Sequence, residues 1–389
     1  MKEYKLFAFI IAFTIILRAS FLVVESSYIY YAILFIGAIF IISRKLFTFT
    51  WEINLKSLVF LFICLLSIVL NDIDPFFSPW ERFIGFCLLL IIVGPFDDST
   101  YSANLKKEIM FYLQNMIIIF VLISFFIFIL KIPIGFVRGS FNGLSSHSMT
   151  MSPMAVLAFL FCLDRFMMKG ITEKKYKKYI YLILGLICLF VASLATSRGA
   201  MGGMLFAIVV YICFKYHKRN HVMFGYILAF ATLFTAIIVL NPGGMLDALY
   251  NKIENSSSNI TSGRDKMWQD RIADFESSPI IGVGFLTMKE VKNSKIDFFE
   301  GTQESGSGWL MLLSSTGILG FISYLLLIIP PLIQIWRYFP NYGLSVAVCA
   351  FFATHTIIEG YTLAFGSPLC ALMWLNIGVL NTVYKLNKK

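Results

Sequence analysis

The sequence predicts an all-α polytopic membrane protein of about twelve transmembrane helices, and three observations carry that prediction. Hydrophobic residues make up 58% of the 389-residue chain, forty of them Phe, against 14% charged residues. With a mean hydropathy of +0.80, that is more apolar surface than a water-soluble core hides. Apolar runs recur at about the 20-residue length a helix needs to cross the hydrocarbon core of a bilayer. Basic residues gather in alternate connecting segments, which is the charge asymmetry that orients membrane helices. The whole chain, 1–389, reads as a single transmembrane domain. Its seven Cys all lie inside apolar runs, so they form neither a disulfide framework nor a C-x-x-C metal site.

The first span, 6–24, follows Lys2 and Lys5 as a signal peptide would. It lacks a small-residue cleavage site and eleven spans follow, so it is expected to remain as the first helix. Spans 28–43, 57–71, 82–95, 109–130 and 150–163 come next, then 179–195 and 199–214 joined by a tight turn. Span 222–241 leads into a large loop, 242–307, that is expected to be outside and partly helical. Span 308–335 contains Pro330-Pro331, which predicts a break there, and spans 342–358 and 366–384 complete the set. With the N-terminus inside, 20 of the 32 basic residues fall on inner segments, and the even count returns the C-terminus to the same side. The net charge of +10 is therefore an orientation signal. The bilayer is the expected partner of these basic loops, and no nucleic acid is.

The chain has no Walker motif, no H-E-x-x-H and no acidic metal cluster, so neither ATP coupling nor a bound metal or other cofactor is expected. Four places carry chemistry. In Thr196-Ser197-Arg198-Gly199-Ala200, Ser197 can cap the next helix. The helix amides and the Arg198 fork then form a phosphate cradle. The alternative is a snorkelling arginine with Gly199 and Gly203 serving close helix packing. In the large loop, Ser262 reads as a helix cap, and Arg264, Trp268, Arg271 and Phe275 share one helical face. Two arginines and an aromatic there suit a diphosphate and a sugar, or else an amphipathic helix lying on the membrane. Glu304, between Gly301 and Gly306, is placed to act as a general base or is an ordinary loop carboxylate. His355 and Glu359, one turn apart, form a hydrogen-bonded pair that is functional or fixes helix packing. Arg18, Arg138 and His147 are further candidates with less behind them.

Taken in order, these pieces resemble a known family. A Ser-Arg-Gly-Ala turn after span seven precedes a long loop with Gly263-Arg264-x-x-x-Trp268, Phe275, Pro279 and Gly282-x-Gly284. Span ten then carries Gly317-Ile318-Leu319-Gly320. The pattern, over about residues 180–325, resembles the O-antigen ligase and O-antigen polymerase superfamily of GT-C-type membrane glycosyltransferases.

The resemblance implies a GT-C-like bundle in the bacterial cytoplasmic membrane with its active site on the outer side. The implied reaction joins a glycan on undecaprenyl diphosphate to an acceptor sugar hydroxyl. It also implies that Arg198 and Arg264 hold the diphosphate without a metal; beside them, the residues' own placement makes Arg271, Trp268, Ser197, Arg138, His355 and Glu359 the candidate substrate-binding groups. The His that opens span ten in ligases would fall near Gly306 and is absent, and Glu304 is the nearest proton acceptor.

That departure favours a polymerase, with a second lipid-linked repeat unit as acceptor and a chain-length regulator as a candidate partner. A ligase transferring the glycan to lipid A-core is the alternative. A lipid-linked oligosaccharide flippase is the rival from another class, and a peptidoglycan-type polymerase relying on Asp265, Asp270 or Asp274 is a further one.

Overall fold

The computed structural model describes residues 3–21, 27–48, 52–137, 140–168, 175–217, 219, 221–226, 228–229, 232, 264–289, 296–297, 302–303 and 306–386. Its α-helices are α1 (Glu3–Ala19), α2 (Ser27–Thr48), α3 (Leu55–Val69), α4 (Pro79–Ile92), α5 (Thr100–Ile129) and α6 (Ser148–Met168). They continue with α7 (Lys175–Leu194), α8 (Arg198–Tyr216), α9 (Arg264–Ser277), α10 (Gly308–Tyr338), α11 (Gly343–His355) and α12 (Pro368–Leu386). Two-residue strand pairs, 136–137 with 140–141 and 296–297 with 302–303, are the described β structure outside isolated bridges. The chain is all-α, as expected. Six helices are long and apolar enough to cross a membrane, and α3, most of α7 and α11 are apolar but shorter. Each expected span except 222–241 coincides with a helix; most of that span lies outside the described residues.

The packing is that of a bundle whose solvent is apolar. Trp374 is fully buried at the centre, its ring against Phe60, Phe86 and Tyr324. The outward faces carry Phe35, Phe62, Phe126, Phe206 and Ile333, each roughly half exposed or more. A belt of that size would drive aggregation in water and is stable only in lipid. Helix α5 begins nine residues before the expected span, because Ser99 caps it by accepting from the Ser102 amide and the polar turns beyond the hydrocarbon stay helical.

Side-chain contacts gather the connecting segments at two ends of the bundle. At one end Lys45 pairs with Asp97, Lys106 donates to the Asp97 carbonyl at 2.8 Å, and Lys385 meets Glu52 at 3.3 Å. At the other, Ser20 bridges Ser145 and Tyr30 donates to the Phe365 carbonyl at 3.0 Å. These are the segments that the charge pattern assigns to opposite sides.

The expected break in span ten lies elsewhere. Helix α10 runs unbroken through Pro330-Pro331 and is kinked instead at Gly317 (φ 63°, ψ −170°). Each Pro removes only its own N–H bond. At Gly317 another segment enters the helix. Val283 N donates to Ser314 O at 2.9 Å, and Ile318 N and Leu319 N donate to Pro279 O and Ile280 O at 2.8 and 3.3 Å. The loop after α9 thus supplies the backbone bonds the kink gives up, which a break among lipid-facing helices requires. A side chain on Gly317 would overlap the Ile280 carbonyl, and one on Gly282 would overlap the Ser315–Thr316 peptide.

Candidate active site

Helix α7 ends at Leu194, Thr196 with its positive φ (50°) turns the chain, and Ser197 starts α8 by accepting from the Ala200 amide at 3.3 Å. Arg198 is the first residue of α8 and is half-buried. The two glycines have the packing role proposed for them. A Cβ on Gly199 would sit 3.3 Å from Ile358 and 3.7 Å from His355, and one on Gly203 would sit 3.0 Å from Thr354 and 3.1 Å from Phe351. That close approach also sets the Ser197–Arg198 turn against the end of α11, so close packing and placement of the arginine are one feature.

Helix α9 forms where the spacing puts it, with Arg264, Met267, Arg271 and Asp274 on its buried face. Arg264 is 7% exposed and Arg271 1%. This excludes an amphipathic helix with solvated arginines lying on the membrane. Arg264 donates to Glu359 at 2.7 Å, a pair in which both side chains are mostly buried. Trp268 Nε1 donates to the Gly306 carbonyl at 3.0 Å. Gly306 has φ 67°, and a Cβ there would press on Met267 and Trp268 at 3.1 and 3.3 Å. Ser307 caps α10, and the Gly308 amide donates to Thr356 O and Glu359 O at 2.8 and 3.1 Å.

The expected His355–Glu359 pair is not formed. Helix α11 ends at His355, and Glu359 lies in the following turn, its amide donating to the His355 carbonyl at 3.0 Å. The Glu359 carboxylate takes Arg264, and the fully buried His355 ring shares a 2.8 Å hydrogen bond with Tyr361 while stacking on Phe351. His355 Nε2 has no hydrogen-bond partner among the described residues. The turn 355–361 is thus the hub of the site, touched by the α8 start, the α9 start and the α10 start. Glu304, Arg138 and the expected cap Ser262 lie outside the described residues.

Arg271 is not at that hub. It donates to Thr287 O at 2.7 Å and Ser314 Oγ at 3.3 Å, holding the loop after α9 against the kinked α10. Burial pushes its pKa down to about 10, with Asp274 and Asp270 opposing the shift. That drop corresponds to a cost of about 3 kcal/mol for keeping the charge. Arg271 also lines a cavity of about 1150 Å³ together with Arg18, His147, Glu81 and Arg82.

The geometry can now be set beside known proteins. Residues 180–325 match the O-antigen ligase family. No curated protein matches the chain. The O-antigen ligase match bears out the resemblance to that superfamily, and it spans most of α7, then α8, α9 and the first part of α10. The hub residues His355, Glu359 and Tyr361 stand outside the matched segment, at the end of α11 and in the turn beyond.

Sequence reasoning missed Tyr361, which carries no motif, and passed over Arg82 and Glu81. Arg82 had a legible signal. It is an arginine at the outer end of span four, where the charge rule expects none.

Proposed function

We propose that the protein is a polymerase, joining undecaprenyl-diphosphate-linked oligosaccharide repeat units into a surface polysaccharide at the outer face of the bacterial cytoplasmic membrane. The reading is supported chiefly by one observation. The Ser197–Arg198 turn and the buried Arg264, 66 residues apart in the matched segment, converge on a single turn, 355–359.

The leaving group is already a good one, so the main task is neutralising its growing negative charge as the C1–O bond breaks. Arg198 and Arg264 do this as oriented cations in a partly dry site, where such groups contribute several kcal/mol. Arg264 donates to Glu359, which fixes the plane of its fork. The helix amides behind Ser197 add a second source of positive potential. Trp268 and His355 are the sugar-binding candidates beside these arginines. Glu304 takes the proton of the acceptor hydroxyl as that oxygen attacks C1. Base and leaving group on opposite faces of the ring give inversion.

The test is to supply purified protein in detergent with a lipid-linked repeat unit and no other acceptor. Chain growth is expected without a membrane gradient. Growth only when lipid A-core is added makes the protein a ligase, and transport without growth makes it a flippase. Glu304→Gln should abolish growth at every pH, since the amide cannot accept the proton.

A further inference from the structure

We propose that the cavity of about 1150 Å³ holds the second substrate, a lipid-linked glycan acceptor that enters sideways from the bilayer between α2 and α4. That the lipid carries a glycan rests on the polymerase reading above. That the site takes a lipid with a polar head rests on the cavity's own lining.

The lining is divided. At the end of the bundle that carries the Ser20–Ser145 bridge it is polar, with Arg18 and Ser20 at the end of α1 and Ser146 and Thr150 around the start of α6. From there it runs along apolar side chains, Tyr31, Ala32 and Phe35 of α2 and Ile84 and Leu88 of α4. Phe35 lies about 12 Å along α2 from its first residue, and Leu88 about 13 Å along α4. Both helices are apolar and long enough to cross a membrane, so that depth is hydrocarbon.

The apolar half is open to the side. Phe35 is 54% exposed and Ile84 55%, although both line the cavity, and in a bilayer such faces meet acyl chains. Further in, α2 and α4 close on each other, a Cβ on Gly37 falling 3.2 Å from Ile92. A space that is polar at one end, apolar below and open between two membrane helices fits an amphipathic molecule whose chain stays in the bilayer. A water-soluble sugar would leave the apolar half unmatched. The volume exceeds the roughly 300–1,000 Å³ of a pocket for one small ligand, which leaves room for a head group and the first part of a chain.

Joining one repeat unit to another brings two lipid-linked chains together, and each polyprenyl tail needs its own way to the hydrocarbon. The cavity reaches the hub at Gly360, between Glu359 and Tyr361. Among the described residues its lining includes neither Arg198 nor Arg264. It therefore meets the shared turn apart from the diphosphate clamp, where an acceptor belongs and a donor does not.

The experiment uses the full-length protein in nanodiscs, with the photo-crosslinking residue p-benzoylphenylalanine replacing Phe35 or Ile84 at the opening. Phe126 on α5 and Phe206 on α8, exposed on other helices, are replaced for comparison. The probe is radiolabelled undecaprenyl diphosphate N-acetylglucosamine, and radiolabelled phosphatidylglycerol is the reference lipid. The probe should label positions 35 and 84 saturably and, when limiting, about tenfold above positions 126 and 206. Phosphatidylglycerol should label all four alike. Ala32→Trp fills the opening from an exposed position, so the fold tolerates it. It should raise the probe concentration for half-maximal labelling at position 84 about tenfold. Arg198→Gln should leave that labelling unchanged. Probe labelling no greater at the opening than elsewhere, or indifferent to Ala32→Trp, overturns the proposal. So does saturable labelling by phosphatidylglycerol at positions 35 and 84, which makes the occupant a structural lipid. Loss of labelling there in Arg198→Gln overturns it as well, since the occupant would then be the donor. Failure of the polymerase reading shows separately, as absent chain growth with labelling at the opening preserved.

Discussion

At the scale of single residues, the Arg264–Glu359 pair is where the proposed chemistry is tested. Its N–O distance is 2.7 Å, and the two side chains are 8% and 19% exposed. A buried pair of this kind is costly to break from one side, because the remaining charge is left without compensation. Arg264→Ala should abolish polymer formation while the protein still inserts, and Arg264→Lys should do the same, since an ammonium offers a point charge where a fork is needed. A laddered glycan on gels from either variant would sink the diphosphate assignment. Glu359→Gln keeps an acceptor for Arg264 but loosens its hold. It should lower kcat on the order of 10²-fold, the effect of about a 1 Å misplacement, with a smaller change in KM. Both residues were legible in the sequence, Arg264 from its spacing with Trp268 and Arg271 in the large loop and Glu359 as an ionisable group at the end of an apolar span. Their pairing was not legible. It depends on α11 stopping at His355, and neither a Gly nor a Pro within two residues marks that stop.

At the scale of elements, the interlock between the loop after α9 and the kink of α10 positions everything above it. Gly282 and Gly317 both have positive φ and both lie where a side chain would strike the opposing backbone. Gly317→Ala and Gly282→Ala should each destabilise the fold by roughly 2–4 kcal/mol, from overpacking plus the cost of the left-handed conformation. Pro330→Ala should change little, since α10 is continuous there. Thermal unfolding in detergent orders the three variants, and a Pro330→Ala loss as large as that of Gly317→Ala would contradict the assignment of the kink.

The same interlock carries a pH dependence. Burial holds the Asp274 carboxyl above the usual carboxylate range, against the Lys289 amide and Arg271, which favour its ionised form. A raised folded-state pKa contributes stability below the ordinary carboxylate pKa and loses it as pH rises through the folded value. Asp274→Asn retains the acceptor for the Lys289 amide and removes this titration. Its melting temperature should therefore fall less than that of the wild type between pH 4 and pH 7. The glycines were visible in the sequence as motif positions. Their reason was hidden, because a close approach between segments far apart in the chain leaves no local periodicity.

At the scale of the whole molecule, the spans were legible because hydrocarbon thickness imposes a length on every helix. The cavity was not, because its walls come from α1, α2, α4, α6, α9, α10 and the segment between α11 and α12, none of which encodes a pocket alone. What the assembled bundle adds is a separation of its two ends. Lys45, Glu52, Asp97, Lys106 and Lys385 interlock at one end, and Arg18, Arg264, Glu359 and the cavity lie at the other. The proposed reaction requires the second end to face outward, since lipid-linked repeat units are joined there. This orientation can be read in cells. Cys64, Cys162, Cys188 and Cys370 are buried and the other three half-buried, so the native thiols give little background to a membrane-impermeant maleimide. Ser277 is exposed at the end of α9, and Tyr338 is 66% exposed at the far end of α10. In the proposed orientation Ser277→Cys labels in intact cells stripped of their outer barrier, and Tyr338→Cys labels only after the cytoplasmic membrane is opened. The reverse pattern would put Arg198 and Arg264 on the cytoplasmic side, where the donor glycan is not presented, and the polymerase reading would fall with it.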